Sequence, residues 1–156
     1  MKKLIFLFCL SLFLFSCGDG IKNGEHKTYY DNGNIETVVN YENDKLHGVF
    51  KSYYENGPLE YETNYKYGKE NGIEKGYYEN GQLKYETNNK DGKRNGIFKH
   101  YYENGQLSIE NNYENGVLNG IRNTYYENGQ LEFKTNYKDD KKNGIERGYY
   151  KRCQRD

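Results

Sequence analysis

The sequence predicts an all-β protein: an elongated antiparallel meander of about eleven strands, built from 24-residue β-hairpin repeats after an N-terminal apolar signal helix. Three observations carry this. A glycine returns at positions 24, 48, 72, 96, 120 and 144. A Tyr-Tyr pair keeps register with it at 29–30, 53–54, 77–78, 101–102, 125–126 and 149–150, and Asn-Gly follows at 32–33, 56–57, 80–81, 104–105 and 128–129. Beyond the leader no segment shows the 3.6-residue period of an amphipathic helix. Self-similarity at a fixed period of about 20 to 50 residues marks a stacked array rather than a globular domain. A catalytic constellation needs residue types that do not simply repeat, so most enzyme architectures are disfavoured at once.

The first element is the leader, residues 1–16. Lys2 and Lys3 precede an apolar run from Leu4 to Phe15, the pattern of a secretory signal and too short to span a bilayer comfortably. Leu14-Phe15-Ser16-Cys17 then resembles the bacterial lipobox, although Phe15 is bulkier than the residue usual at its place. That resemblance implies cleavage before Cys17, lipidation of Cys17 and membrane attachment through its acyl chains. It places the chain in the bacterial cell envelope, facing away from the cytoplasm. Each buried methylene of such chains contributes about 0.8 kcal/mol, so several chains anchor stably. An ordinary secretory signal and an uncleaved anchor are the competing readings. Residues 17–24 form the lipidated cysteine and a short linker. Cys9 leaves with the leader, and Cys153 then stands alone, without an internal disulfide or an ordinary zinc-site partner set.

The repeat array, residues 25–150, reads as hairpins. In Gly72–Asn95, two runs rich in Tyr, Ile, Leu and Thr are bounded by Asn80-Gly81 and Asp91-Gly92. Asn and Gly tolerate the positive φ of tight turns, so both sites signal hairpins. In the second run Leu83, Tyr85 and Thr87 alternate with Lys84, Glu86 and Asn88. One face is therefore expected to be apolar and aromatic and the other polar, as in a sheet covered on one side. About eleven strands at about 4.8 Å spacing give a sheet roughly 50 Å long. The register stays open between two arrangements. A two-residue Asn-Gly turn sets Tyr78 opposite Leu83 and Gly76 opposite Tyr85, with the ring over the bare glycine; a turn with an extra residue and a bulge shifts the pairing by one. Pro58, lacking an N–H, loosens at least one hairpin. The tail, 151–156, replaces the expected Glu-Asn-Gly-Gln-Leu with Lys-Arg-Cys-Gln-Arg-Asp and leaves the last hairpin capped or truncated.

Composition sets further bounds. Hydrophobic content of 34% and charged content of 29% alone fit a disordered polymer, but 19 tyrosines at fixed repeat positions argue for order. The 23 basic and 23 acidic residues balance, and no basic patch appears, so nucleic acid is not an expected partner.

The motif Tyr-Tyr-Glu-Asn-Gly-Gln-Leu, a strand, then Asp-Gly-Lys-x-Asn-Gly-Ile stands almost verbatim at 77–83 with 91–97. Its first part recurs at 125–131, and at 53–59 with Pro58 for Gln. These residues resemble the MORN repeat in its bacterial variant, over about 25–150. The resemblance implies the hairpin-array fold and a binding or spacing module, often beside membranes. Some bacterial members are labelled antitoxin components, which gives an alternative role: neutralising a cognate toxin by direct binding. The leading expectation is a non-enzymatic, lipid-anchored scaffold offering its sheet to a protein or glycan partner.

Candidate sites follow from the repeat. Asp31, Glu55, Glu79, Glu103 and Glu127 form a carboxylate ladder, but a spacing of about 9–10 Å is too wide for shared metal ligands, and turn chemistry explains them. His26, His47 and His100 fall at different repeat phases, and Ser52 and Ser108 sit in no nucleophile-elbow motif, so no catalytic residues, metal or cofactor are expected. Tyr54, Tyr78, Tyr102 and Tyr126 are expected to cover the sheet beside Leu59, Leu83, Leu107 and Leu131. Tyr53, Tyr77, Tyr101 and Tyr125, on the opposite and more polar face, are the partner-binding candidates.

Overall fold

The computed structural model describes residues 22–150. The expected signal segment, Cys17 and the tail 151–156 lie outside the described residues. Within them the chain is all-β and without helix, a single antiparallel sheet of 16 strands.

Six-residue strands (Gly24–Tyr29, Gly48–Tyr53, Gly72–Tyr77, Gly96–Tyr101, Gly120–Tyr125) alternate with eight-residue strands (Ile35–Glu42, Leu59–Lys66, Leu83–Lys90, Leu107–Glu114, Leu131–Lys138). They hydrogen-bond in chain order, and Arg147–Gly148 pairs with Leu131–Lys138 to close an eleven-step meander, as the hairpin count predicts. Two-residue strands such as Lys69–Glu70 and Lys93–Arg94 fold back on the ends of the eight-residue strands and supply the remainder.

Each repeat uses two different turns. At Asp91-Gly92 both residues have positive φ (53° and 78°), and Lys90 pairs Lys93 across them. This is the two-residue hairpin whose backbone twist matches that of the strands. At Glu79-Asn80-Gly81 only the glycine is left-handed, at φ 82°. Tyr78 N–H donates to the Gln82 carbonyl (2.9 Å) and Gly81 N–H to the Tyr78 carbonyl (2.8 Å), which makes a three-residue loop. The 24-residue glycine starts each six-residue strand, as at Gly72 with φ 112°, a value that L side chains rarely adopt.

The open register resolves into both alternatives in succession. Next to the turn, Tyr77 faces Leu83, the shifted pairing; a bulge at Lys84 then restores Gly76 opposite Tyr85. The ring does lie over the glycine: a Cβ on Gly76 would come within 2.3 Å of Tyr85 Cε1. The same bulge occurs in every six-to-eight-residue hairpin described. It overturns part of the expected alternation, because a one-residue insertion swaps the faces of everything before it. Leu59, Leu83, Leu107 and Leu131 share the face of Tyr53, Tyr77, Tyr101 and Tyr125, their direct partners, rather than that of Tyr54 and its equivalents. Positions 36, 60, 84, 108 and 132 move to the aromatic face. There Glu36 accepts from Thr28 (3.0 Å), Glu60 from Ser52 (3.2 Å) and Glu132 from Thr124 (3.2 Å), and Ser108 meets His100 Nδ1 (2.7 Å).

The core is a layer of small polar residues beneath rings. Thr63, Thr87, Asn111 and Thr135 occupy the equivalent middle position of successive eight-residue strands and are all buried. Phe50 meets Tyr61 and Tyr65 edge-on, and Phe98 stacks on Tyr85 and meets Tyr113 edge-on, roofing this layer. Among the described residues Leu118 is the one buried hydrophobic side chain. No second sheet or helix packs on either face within the described residues.

Candidate functional site

The sheet presents two chemically distinct faces. On the first, the ring face, the second tyrosine of each pair reaches forward to the next repeat. Tyr30, Tyr54, Tyr78, Tyr102 and Tyr126 hydroxyls donate to the carbonyls of Tyr53, Tyr77, Tyr101, Tyr125 and Tyr149 at 2.6–3.0 Å. Asn32 and Asn104 side chains add donations to the Glu55 and Glu127 carbonyls (3.0 and 2.9 Å). At the other end of each strand, Gly68, Gly92 and Gly116 N–H groups donate to the carbonyls of Leu46, Glu70 and Arg94 (2.8–2.9 Å). The expected covering role of the second tyrosines is thus joined by an inter-repeat latch that sequence reasoning did not anticipate.

Midway along the ring face lies a polar cluster that breaks the repeat. Glu74 stands where Phe50 and Phe98 stand in the neighbouring units, and it is buried. Asn89 Nδ2 donates to Glu74 Oε2 (2.5 Å) and Glu70 Oε2 (3.1 Å), while the Tyr61 and Tyr65 hydroxyls donate to Glu70 Oε1, each at 3.3 Å. Burial, reinforced by these carboxylates, pushes the Tyr61 and Tyr85 hydroxyls well above the usual tyrosine range and raises that of Tyr65. The signal available in sequence was the departure of positions 70, 74 and 89 from their repeat equivalents. The cluster is internally satisfied and resembles a specificity device for the core more than an open site.

The opposite face carries three parallel stripes. One is the first-tyrosine row with its leucine partners: Tyr53 opposite Leu59, Tyr77 opposite Leu83, Tyr101 opposite Leu107 and Tyr125 opposite Leu131. These tyrosines are half-buried and tied down: Tyr77 hydroxyl donates to Glu62 Oε1 (2.8 Å) and Tyr101 hydroxyl to Glu86 Oε1 (3.2 Å). Burial, with the neighbouring carboxylate second, pushes both hydroxyls up to about 12. The next stripe is Lys51, Glu62, Lys75, Glu86, Lys99 and Glu110, each the direct cross-strand partner of the next. The third is aliphatic: Val49, Ile73, Ile97 and Ile121 are 41%, 55%, 54% and 45% exposed, alternating with Asn64, Asn88, Asn112 and Asn136. Sequence reasoning placed the tyrosines on this face but overlooked the aliphatic row.

The remaining candidates do not converge. Asp31, Glu55, Glu79, Glu103 and Glu127 are exposed at turns. His26 packs edge-on against Tyr41 and His47 against Tyr67, while burial lowers the pKa of His100 and Lys84 lowers it further. Among the described residues no group of three or more His, Cys, Asp or Glu is placed to hold a metal ion.

A single-layer sheet of latched hairpins, with one face consumed by its own packing and the other patterned and open, defines a repeat-based binding scaffold. The comparison with known families makes the assignment. The MORN repeat variant matches five times in succession, at 22–43, 46–67, 70–91, 94–115 and 118–139, so the chain belongs to the MORN repeat variant family. No curated protein matches the chain.

Proposed function

We propose that this chain is a non-enzymatic scaffold, lipid-anchored through Cys17 at the bacterial cell envelope, that holds a protein or glycan partner on its striped face. The observation that carries this reading is the exposed aliphatic row from Val49 to Ile121, repeated unit after unit beside Tyr53, Tyr77, Tyr101 and Tyr125. A face whose apolar side chains stay exposed in four successive repeats is suited to contact, whereas scattered exposed aliphatics need no explanation. Tyrosine adds rigid contact area with a polar tip.

A photoreactive residue at Ile97 of the full chain, expressed in cells, is expected to crosslink to a partner, while one at Lys84 on the ring face does not. Equal yields from both positions, or none from Ile97, would reject the striped face. Replacing Cys17 with Ala is expected to release the chain from the membrane fraction and abolish lipid labelling; unchanged labelling rejects the anchor. A crosslinked product that proves to be a toxin would recast the scaffold as an immunity protein.

A further inference from the structure

The middle stripe of that face has a property that the scaffold reading leaves unused. Lys51, Glu62, Lys75, Glu86, Lys99 and Glu110 run across six consecutive strands with strictly alternating sign. Beyond them the pattern stops, at Asn123, Lys134 and Arg147. Among the described residues only Lys99 and Glu86 close to an ion pair within the ladder, at 3.6 Å. Glu62 and Glu110 accept from the Tyr77 hydroxyl and Asn123 Nδ2 (2.8 and 3.2 Å) but meet no cation of their own sheet, and Lys51 and Lys75 form no ion pair among the described residues.

We infer that the striped face binds a second copy of this chain, face to face and antiparallel along the repeat axis. This rests on the reading of the striped face as the contacting face and names its occupant. The symmetry supplies the reason. A two-fold axis parallel to the strands, set midway between a lysine row and a glutamate row, lays each stripe on its own counterpart. It reverses the order of the repeats, so every Lys of the ladder meets a Glu of the partner. An alternating ladder is therefore complementary to itself, which a twofold interface requires because the same patch serves both sides. A ladder of one sign would repel its copy.

The flanking stripes fit the same arrangement. The Tyr–Leu stripe lies on its counterpart on one side and the Ile–Asn stripe on the other. Because Lys-bearing strands then face Glu-bearing strands, each exposed aliphatic is covered by an asparagine of the partner and each stripe tyrosine by a leucine. Facing sheets pack about 10 Å apart with interdigitating side chains. From Val49 to Ile121 the patch spans seven strands, so at about 4.8 Å per strand it measures roughly 30 Å by 20 Å. That is about 600 Å² per copy and about 1,200 Å² for the pair, the lower end of stable interfaces. The implied dimer is of modest strength, and confinement to a membrane would favour it by raising local concentration.

Two differently tagged full chains co-expressed in one cell provide the test. Wild-type chains are expected to co-purify. Changing Lys51, Lys75 and Lys99 to Glu makes an all-acidic ladder, and changing Glu62, Glu86 and Glu110 to Lys makes an all-basic one. Each is expected to lose co-purification with itself by at least about tenfold, while the acidic and basic chains together recover it. Recovery between chains is beyond the reach of an effect on folding alone, since each chain keeps its own like-charged ladder. Ile73→Lys, at a position already exposed, is the second variant and should lose co-purification while retaining the wild-type circular dichroism spectrum. Wild-type chains that do not co-purify overturn the inference, as does an acidic–basic pair that fails to recover. If Ile97 nevertheless crosslinks to another molecule, the scaffold reading survives without the dimer; if it crosslinks to nothing, both fall.

Discussion

The two faces of this sheet are made from the same strands, yet they use their side chains for opposite ends. On the ring face, aromatic rings roof a layer of threonines, and the tyrosine hydroxyls fasten each repeat to the next. On the striped face, branched aliphatics remain about half exposed in successive repeats. Cohesion is therefore concentrated on one side of a single layer, which leaves the other side free to be patterned for contact. Residues that hold the array should be costly to change and those that pattern it cheap, although both kinds repeat at the same period.

The largest break in this contrast should come from Thr63, only 1% exposed beneath the rings. Thr63→Asp places a charge there without a partner and is expected to destabilise by at least about 3 kcal/mol in urea unfolding. A loss below about 1 kcal/mol would mean that the ring roof opens easily. Next comes Gly76→Ala, whose Cβ would press on Tyr85 at 2.3 Å. It should cost about 1–3 kcal/mol, less in a Tyr85→Leu background, and a double-mutant cycle without coupling would contradict the overlap. Tyr78→Phe removes one latch, the 2.7 Å donation to the Tyr101 carbonyl, and should cost about 1 kcal/mol.

A smaller effect concerns pH. Burial and Lys84 hold the His100 pKa below its ordinary 6.5, so the unfolded chain binds the proton more readily. The stability from neutral His100 is present above about pH 6.5 and is lost as pH falls towards the lowered folded value. The melting temperature should therefore fall below pH 6.5, and His100→Asn should flatten that decline. Smallest is Ile97→Ser on the striped face, expected to shift stability by no more than about 0.5 kcal/mol while reducing partner capture. A large loss of stability there would erase the distinction between the faces.

Much of this contrast was legible in the sequence. The period gave the strand order, Asn-Gly and Asp-Gly marked the turns, and the first-tyrosine row was assigned to the right face. The ring over Gly76 was also foreseen in one of the two registers. A bulge was one of the two registers left open, but its place at Lys84 was not legible in a single unit, and strict alternation carried across it put the leucines on the wrong face. Comparison among the units holds a clue. Glu36, Glu60 and Glu132 accompany Thr28, Ser52 and Thr124, whereas Lys84 accompanies Gly76, which has no hydroxyl to offer a carboxylate. That co-variation places the two positions side by side. The candidate site was less legible because exposure decides it: an isoleucine over open solvent and one in a core read alike.

The tyrosine latch has a consequence for how such a chain can change length. Each hydroxyl bonds the carbonyl 23 residues onward, so every unit brings one donor for its successor and one acceptor for its predecessor. Duplicating or deleting a 24-residue segment removes and supplies these groups in equal number, leaving no orphan in the interior. The molecule is in effect a ruler graduated in steps of about 10 Å, two strand spacings each. Unequal recombination could reset its reach by whole graduations without redesigning a single contact.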